Sequence, residues 1–192
     1  IEETLRASGA ELGRHEELIY PGSCRNQNRQ EEKAAIRVAL PDSCVLQFKD
    51  RMKGVQSQDL TTQVGDFVIR RADGLFTYQL AVVVDDHLQD ITHIVRGEDL
   101  LSNTARQLYL QQILGYQIPS YLHLPLVTNA AGEKLSKQTQ ALGINTNTKE
   151  ATLDALNTAA SHLDIRGDAL KPLSTIDEWL SIAIKIWQRK GW

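Results

Sequence analysis

The segment Leu75–Leu110, LFTYQLAVVVDDHLQDITHIVRGEDLLSNTARQLYL, decides the fold class. Its stretch LAVVVDD is almost continuously apolar, which predicts a strand buried on both faces, as in a parallel sheet, although a buried helical segment has the same pattern. Further on, Leu101, Ala105 and Leu108 recur at helical spacing, and Gly115 ends that run. A buried strand followed by a helix indicates a βαβ-like unit and therefore an α/β fold.

Shorter patterns on either side extend that prediction. Before the segment, AAIRVAL and CVLQF predict short strands, and Asp73-Gly74 predicts a hairpin turn between two β-rich runs. After it, PSYLHLPLV predicts another buried strand. Two helices are then predicted, the second from the capping-box pair Thr175 and Glu178. Their apolar faces consist of Leu153, Leu156, Ala160 and Leu163, and of Ile176, Leu180, Ala183 and Trp187.

The composition narrows the class of protein. The chain has 192 residues, of which 42% are hydrophobic and 23% charged, and this is typical of a folded globular protein. A formal net charge of -3 argues against a general binder of nucleic acid, although a local basic face is compatible with it. Two cysteines, Cys24 and Cys44, and no apolar run long enough for a bilayer predict a cytoplasmic protein with no membrane partner.

Candidate binding residues follow the predicted buried strand. In open α/β sheets, ligands bind where the parallel strands end, and here Asp85, Asp86 and the RGED turn come next. The Arg96 guanidinium suits a carboxylate or a phosphate, or it is an ordinary surface arginine. Asp99 is predicted to cap the following helix. The run Asp85-Asp86-His87 imitates a metal site, but adjacent strand residues point to opposite faces, which favours a turn or cap role.

The stretch VTNAAGEKLSKQTQA, Val127–Ala141, is the second candidate. Turn-forming residues up to Gly132 are followed by Lys134 and Lys137, which bracket Leu135 and a serine. Lysine is a compact cation that binds phosphate, and a flexible loop containing glycine brings it to a nucleotide. The alternative interpretation is a solvated surface loop.

These two stretches together resemble a known family. The segment Leu75–Leu110 with YLHLPLVTNAAGEKLSK is similar to the catalytic domain of class I glutamyl-tRNA synthetases, almost continuously from Asp66 to Lys137. The loop ends KLSKQ, where those enzymes usually have KLSKR, and the chain after it is too short for their anticodon-binding region. Both features resemble the short paralogues of the family, the glutamyl-Q tRNA(Asp) synthetases. The resemblance implies an α/β fold: the second half of a Rossmann-type catalytic domain, an inserted β-rich subdomain and a C-terminal helical region.

The resemblance also implies an activity. It implies a ligase that uses ATP and Mg²⁺ to activate L-glutamate and attaches it to the queuosine base of tRNA(Asp), a tRNA modification. The implied ATP-binding loop consists of Lys134, Leu135, Ser136, Lys137 and Gln138, with Lys137 as the principal phosphate contact and the catalytic residue. A lysine on a closing loop neutralises charge on the phosphates, so the chemistry of the residues agrees with that role.

The glutamate-binding residues implied by the resemblance are Tyr78 and Arg96. An arginine and a phenol hydroxyl select an acidic side chain over its amide, because a mismatched buried polar group is left unpaired. Considered without the resemblance, Tyr78 is interpreted as a core aromatic whose hydroxyl needs a partner.

A zinc site is implied only in part. The paralogues often bind zinc through Cys-x-Cys and a downstream Tyr-x-x-x-Cys, and this chain has the second half, Tyr20 and Cys24, with the first half expected before Ile1. Two ligands do not make the closed four-ligand site of structural zinc, so these residues are interpreted either as remnant metal ligands or as a simple turn. Cys44, within a strand pattern, is predicted to be a small core residue.

The first half of the Rossmann domain, with its HIGH motif, has no counterpart in the sequence, so we expect the chain to be a part of the enzyme that is inactive alone and needs its N-terminal half as a partner. Two alternatives stay open: a truncated glutamyl-tRNA synthetase that charges tRNA(Glu), and a non-catalytic binding fragment descended from a synthetase. The predicted divisions are a zinc-segment remnant at 1–30, an inserted α/β subdomain at 31–76, the second Rossmann half at 77–127, and the KLSK loop with a helical region resembling a tRNA stem-contact region at 128–192.

Overall fold

The structure is a computed structural model that describes residues 19–27, 34–129, 131–135, 143–165, 170 and 175–191. The described residues form two compact units. The first unit contains the residues up to Ile94 together with Leu100–Tyr121, and the second contains Val95–Asp99 together with the residues from Leu122 onward.

The strands form two sheets. A small antiparallel sheet pairs β1 with β4, and a larger sheet has the order β3-β2-β6-β5. Strands β2 and β3 form an antiparallel hairpin, whereas β2 and β6 are parallel where Asp50 pairs with Tyr121. The strand bounds are β1 Ile36–Arg37, β2 Val45–Asp50, β3 Gly54–Asp59, β4 Val68–Arg70, β5 His93–Gly97 and β6 Ser120–Leu124.

The helices begin and end where local chemistry favours it. Their bounds are α1 Leu60–Gln63, α2 Tyr78–Leu88, α3 Thr104–Leu114, α4 Lys149–His162 and α5 Ile176–Arg189, and a 3-10 helix, Glu98–Asn103, precedes α3. Gly115 ends α3 with a φ of 70°, a left-handed conformation that glycine adopts without strain. The predicted capping box at α5 is confirmed, because the Thr175 hydroxyl accepts the Glu178 N–H and donates to its carboxylate.

The strand predicted for LAVVVDD is wrong, because this run lies in helix α2. The helical alternative that the pattern left open is the observed one, although only Val83 of the run is fully buried. Val83 is 1% exposed and packs into the core of the first unit, so tertiary packing overrides the β preference of the valines. Asp85 and Asp86 therefore lie in the last turns of a helix and not at a strand end, and the His87 ring stacks on Tyr116 with 3.7 Å between ring centroids.

Strands β3 and β5 were not predicted, whereas the short strands in AAIRVAL, CVLQF and PSYLHLPLV are confirmed. The Asp73-Gly74 turn is present, but its second arm contains only a single antiparallel bridge, between Arg70 and Phe76, before α2 begins. Because β5 ends in the RGED turn, the strand end at which a ligand is expected is that of β5 and not that of the LAVVVDD run.

Each unit has its own hydrophobic core. In the first unit, buried side chains from α1, α2, α3 and the segments next to the strands pack together, among them Leu40, Leu60, Val83 and Leu110. Cys44 belongs to this core, which confirms its predicted place. In the second unit, α4 and α5 pack around Trp179. No helix within the described ranges has both the length and the apolar character needed to cross a membrane.

Candidate functional site

Arg96, near the end of β5, donates a hydrogen bond from Nε to Nε2 of His123 on β6, with 2.9 Å between the two nitrogens. Because arginine has donors only, Nε2 of His123 must be an acceptor and cannot hold a proton. His123 is 0% exposed, so the imidazole positions the guanidinium from a buried strand. His123 was not predicted as a site residue from the sequence, although it is a polar residue inside an otherwise apolar strand pattern.

The rest of the RGED turn contacts the chain that follows β6. Glu98 accepts the Leu126 N–H at Oε1, 3.1 Å away, and Asp99 forms an ion pair with Lys134. Asp99 lies inside the 3-10 helix, so its predicted role as a helix N-cap is wrong. Gly97 leaves room for this arrangement, because a Cβ there would lie 2.5 Å from Asp99 Oδ1. Within the second unit, the RGED turn is thus joined to the start of the lysine loop.

The first part of the lysine loop is an ordered turn. Asn129 Oδ1 accepts the N–H groups of Ala131 and Glu133, and the Leu135 N–H donates to the Val127 carbonyl at 2.9 Å. These bonds direct Lys134 to Asp99. Ser136, Lys137 and Gln138, which the sequence analysis assigns to the ATP-binding loop, lie outside the described residues.

Tyr78 is the first residue of α2 and is 51% exposed, so its interpretation as a core aromatic is wrong. It lines a cavity of about 330 Å³ in the first unit. The wall of this cavity combines apolar side chains with Arg37, Asp66, Gln79 and Arg106. An exposed phenol beside polar walls is available to a ligand, which a core tyrosine is not.

Tyr20 and Cys24 lie close together in the first unit. The Tyr20 hydroxyl accepts the Cys24 N–H at 2.7 Å, and the Arg37 guanidinium lies over the Tyr20 ring, 4.2 Å from its centroid. Burial lowers the pKa of Arg37, and the neighbouring Tyr20 and Asp66 oppose that shift. Among the described residues, no three His, Cys, Asp or Glu side chains are grouped to hold a metal ion. The described residues therefore supply at most two of the four ligands of a structural zinc site.

Tyr78 belongs to the first unit and Arg96 to the second. In the second unit, Asp99 connects two predicted site residues: it follows Arg96 in the RGED turn and forms an ion pair with Lys134. The first unit brings Tyr20 beside Cys24.

Comparisons with known proteins identify the family. Residues 7–167 match the family described as tRNA synthetases class I (E and Q), catalytic domain. A glutamyl-Q tRNA(Asp) synthetase of Burkholderia cenocepacia is 48% identical over 192 residues, 99% of this chain and 62% of the relative. One of Cupriavidus metallidurans is 51% identical over 176 residues, 91% of this chain and 54% of the relative.

Among solved structures, the glutamate-tRNA synthetase of Elizabethkingia anophelis is similar, with a TM-score of 0.56 and 28% identity over 71% of this chain and 29% of that one. The chain thus spans 62% or less of the length of the relatives named here. It belongs to the class I tRNA synthetases of the E and Q group and has the α/β catalytic-domain fold of that ligase family.

Proposed function

We propose that the protein activates L-glutamate with ATP and transfers it to the queuosine base of tRNA(Asp). The observation that supports this most is the 48% identity to a relative of that name along almost the whole chain. In the proposed reaction, a carboxylate oxygen of glutamate attacks the α-phosphorus of ATP and the bond to the leaving pyrophosphate breaks. A nucleophile on the base then attacks the glutamyl carbonyl carbon, and AMP leaves.

Arg96 is proposed to bind a carboxylate of glutamate. Its Nε donates to His123, which holds the guanidinium plane in one orientation. A guanidinium oriented in this way binds a carboxylate through two parallel hydrogen bonds, a geometry that an amide does not reproduce. Tyr78, half-exposed on its cavity, is proposed to add a phenol hydroxyl to the same selection.

The lysine loop is proposed to bind the phosphates of ATP, with Lys137 as the catalytic contact and Lys134, Leu135, Ser136 and Gln138 completing the loop. The ion pair between Lys134 and Asp99 supports this role, because the Lys134 ammonium donates to a carboxylate of the RGED turn and a phosphate oxygen is an acceptor of the same kind. Magnesium, which the family uses with ATP, would supply further neutralisation of phosphate charge when bound.

We propose a zinc site only as one that this chain shares with another part of the protein. Tyr20 and Cys24 would supply half of a four-ligand set: the Tyr20 hydroxyl lies 2.7 Å from the Cys24 backbone nitrogen, and the Cys24 thiol is free and exposed. Two further ligands from a part of the protein outside this chain would have to complete the site. The same applies to ATP: the relatives are longer than the chain, and we propose that an N-terminal half with the HIGH motif completes the nucleotide pocket in a cytoplasmic enzyme.

A second candidate is a glutamyl-tRNA synthetase that charges tRNA(Glu). Two similar solved structures are named a glutamate-tRNA synthetase and a glutamate tRNA ligase, which is the observation that favours it. The two candidates share glutamate activation and differ in the RNA that accepts the amino acid. A non-catalytic descendant of a synthetase differs from both, because it would activate no amino acid.

Glutamate-dependent exchange of pyrophosphate into ATP by the full-length protein tests the shared step. We expect exchange with glutamate, little with glutamine, and a rise in the KM for glutamate in Arg96→Ala that greatly exceeds its effect on the KM for ATP. The control is Arg189→Ala, at an exposed arginine in the last turn of α5. No exchange with any amino acid would contradict the proposal, and equal losses for both substrates would contradict the role of Arg96.

A further inference from the structure

A chain of side-chain hydrogen bonds joins the first turn of α2 to the start of α3. Gln79 Nε2 lies 2.6 Å from Asn103 Oδ1, Arg106 Nη1 lies 3.0 Å from the same oxygen, and Gln107 Nε2 lies 3.1 Å from Gln79 Oε1. All four residues belong to the first unit. Both ends of the Gln79 amide are therefore hydrogen-bonded.

The direction of these bonds is fixed by Arg106. A guanidinium has donors only, so the Asn103 atom that faces it must be the carbonyl oxygen. The Gln79 atom that faces the same oxygen must then be the amide nitrogen, and its other end must be the oxygen that accepts from Gln107. Only one arrangement of the three amides satisfies every bond, so the chain of bonds holds Gln79 in a single orientation.

The neighbouring residue on the other side is also held. The Thr77 N–H donates to the Ile69 carbonyl at 2.9 Å, and the Thr77 hydroxyl donates to the Val68 carbonyl at 3.0 Å. Thr77 therefore makes no side-chain cap to α2, and the first turn of that helix depends on tertiary contacts. Tyr78 stands between these two anchored residues, and its half-exposed ring lines the cavity.

We infer that Asn103 is a positioning residue for glutamate binding, which holds Gln79 and thereby fixes the backbone that presents Tyr78 to the cavity. The inference rests on the proposed role of Tyr78. It assigns a function to buried polar side chains of α3, where Gln107 is 1% exposed and Arg106 is 8% exposed. Burial of an amide is unfavourable unless it is hydrogen-bonded, and the buried Gln107 amide donates to Gln79, the residue beside Tyr78.

The test compares Asn103→Leu with Asn103→Asp in the full-length protein. Leucine removes the acceptor for Gln79 and Arg106, whereas aspartate keeps it. We expect Asn103→Leu to raise the KM for glutamate by about tenfold, with the KM for ATP changed by less than about twofold, because loss of this acceptor leaves the amide of Gln79 without its partner. Asn103→Asp should stay close to the wild type.

The matched control is Gln111→Leu. Gln111 is a buried amide on the same helix, 2% exposed, and it donates to the Tyr121 hydroxyl at 3.1 Å instead of joining the chain that leads to Tyr78. It should lower the melting temperature and leave the KM for glutamate unchanged. If Asn103→Leu does not fold, Gln107→Met removes the donor to Gln79 and should raise the same KM.

Tyr78→Phe is the reference that separates failure of the proposed function from failure of the positioning role of Asn103. If the wild type shows no glutamate-dependent exchange, the proposed function fails and the inference fails with it. If Tyr78→Phe raises the KM for glutamate but neither Asn103→Leu nor Gln107→Met does, only the positioning role is overturned. An equal rise in Gln111→Leu and Asn103→Leu would also overturn it, because the effect would then be general destabilisation.

Discussion

The two units support their proposed functional side chains in different ways. In the first unit, Tyr78 begins a helix whose first turn is held by a chain of half-buried and buried amides. This chain ends at Gln107 on α3, a helix that also contributes to the hydrophobic core. In the second unit, Arg96 and Lys134 lie on a strand end and a turn, whereas the core around Trp179 is formed by α4 and α5. Stability and proposed chemistry therefore share residues in the first unit and use separate residues in the second.

This difference has a general consequence for substitutions. In the second unit, a core substitution should change the free energy of unfolding and leave the proposed chemistry intact, and a loop substitution should do the reverse. In the first unit, a substitution in the chain of amides that leads to Tyr78 should change both, whereas a buried amide outside that chain, such as Gln111, should affect stability alone. The following predictions test this difference between the two units.

Trp179→Ala is expected to have the largest effect. The indole is 4% exposed in the core of the second unit and its Nε1 donates to Asn157 Oδ1 at 2.8 Å, so truncation leaves a large cavity and an unsatisfied amide. We expect the free energy of unfolding to fall by about 3–5 kcal/mol in a denaturant titration. Leu180→Ala, at an exposed position on the same helix, is the control. Lower exchange activity per folded molecule in Trp179→Ala would contradict the separation of core and chemistry.

Lys137→Ala is expected to show the opposite behaviour. Removal of one preorganised group that stabilises charge costs about 100-fold in rate, so exchange should fall at least that far while the melting temperature stays constant. Lys185→Ala, at an exposed lysine on α5, is the control. Near-normal exchange in Lys137→Ala would contradict the assignment of the loop.

Asp99→Asn tests the contact between the RGED turn and the loop. The Asp99 carboxylate forms an ion pair with the Lys134 ammonium, which is proposed to bind the phosphates of ATP, and both side chains are partly exposed. An exposed ion pair contributes at most about 1 kcal/mol, so its loss should lower the KM for ATP by less than about fivefold. Asp154→Asn on α4 is the control, and a raised KM for ATP in Asp99→Asn would show that Asp99 orients the lysine for ATP and does not compete with it.

The smallest predicted effect concerns pH. Burial raises the pKa of the Cys44 thiol, and the nearby Asp59 adds to the shift. The folded protein therefore keeps the thiol proton at pH values where the unfolded chain loses it, so this contribution to stability is complete below the ordinary thiol pKa of about 8.5 and declines above it.

We expect unfolding measured between about pH 8 and 9.5 to show a decline on the order of 1 kcal/mol or less that Cys44→Ala removes. Cys24→Ala, at an exposed thiol, should leave the decline unchanged. A decline of the same size in Cys44→Ala would assign it to other groups.

The sequence predicted α4, α5 and the Thr175 cap because these are local features, and the whole predicted face of α4 lies in the core of the second unit. On α5 only Ala183 and Trp187 of the predicted face lie in that core, whereas Leu180 is exposed. It failed at LAVVVDD, since a short apolar run has the same pattern in a buried strand and in a buried helix, and only packing decides between them. Strand β3 was not predicted because GVQSQD is mostly polar, and its strand conformation depends on pairing with β2.

The predicted site shows the same limit. Arg96, Tyr78 and the lysine loop were predicted from the family resemblance. Arg96 was predicted to follow the wrong strand, because it lies near the end of β5 and the LAVVVDD run is a helix. The partners of these residues were beyond sequence reasoning. His123 and Asp99 contact Arg96 and Lys134 across 27 and 35 positions of the chain, and no spacing rule predicts such contacts. The roles of Tyr78, Arg96, Tyr20, Cys24 and the KLSK residues stay predictions.

The most direct test of the proposed function is the choice of acceptor RNA. The full-length protein should be incubated with ATP, labelled glutamate, and three RNAs: tRNA(Asp) with queuosine, tRNA(Asp) without it, and tRNA(Glu). The account predicts label on tRNA(Asp) with queuosine alone. Label on tRNA(Glu), with none on the queuosine-containing tRNA(Asp), would contradict it and establish the charging of tRNA(Glu) instead.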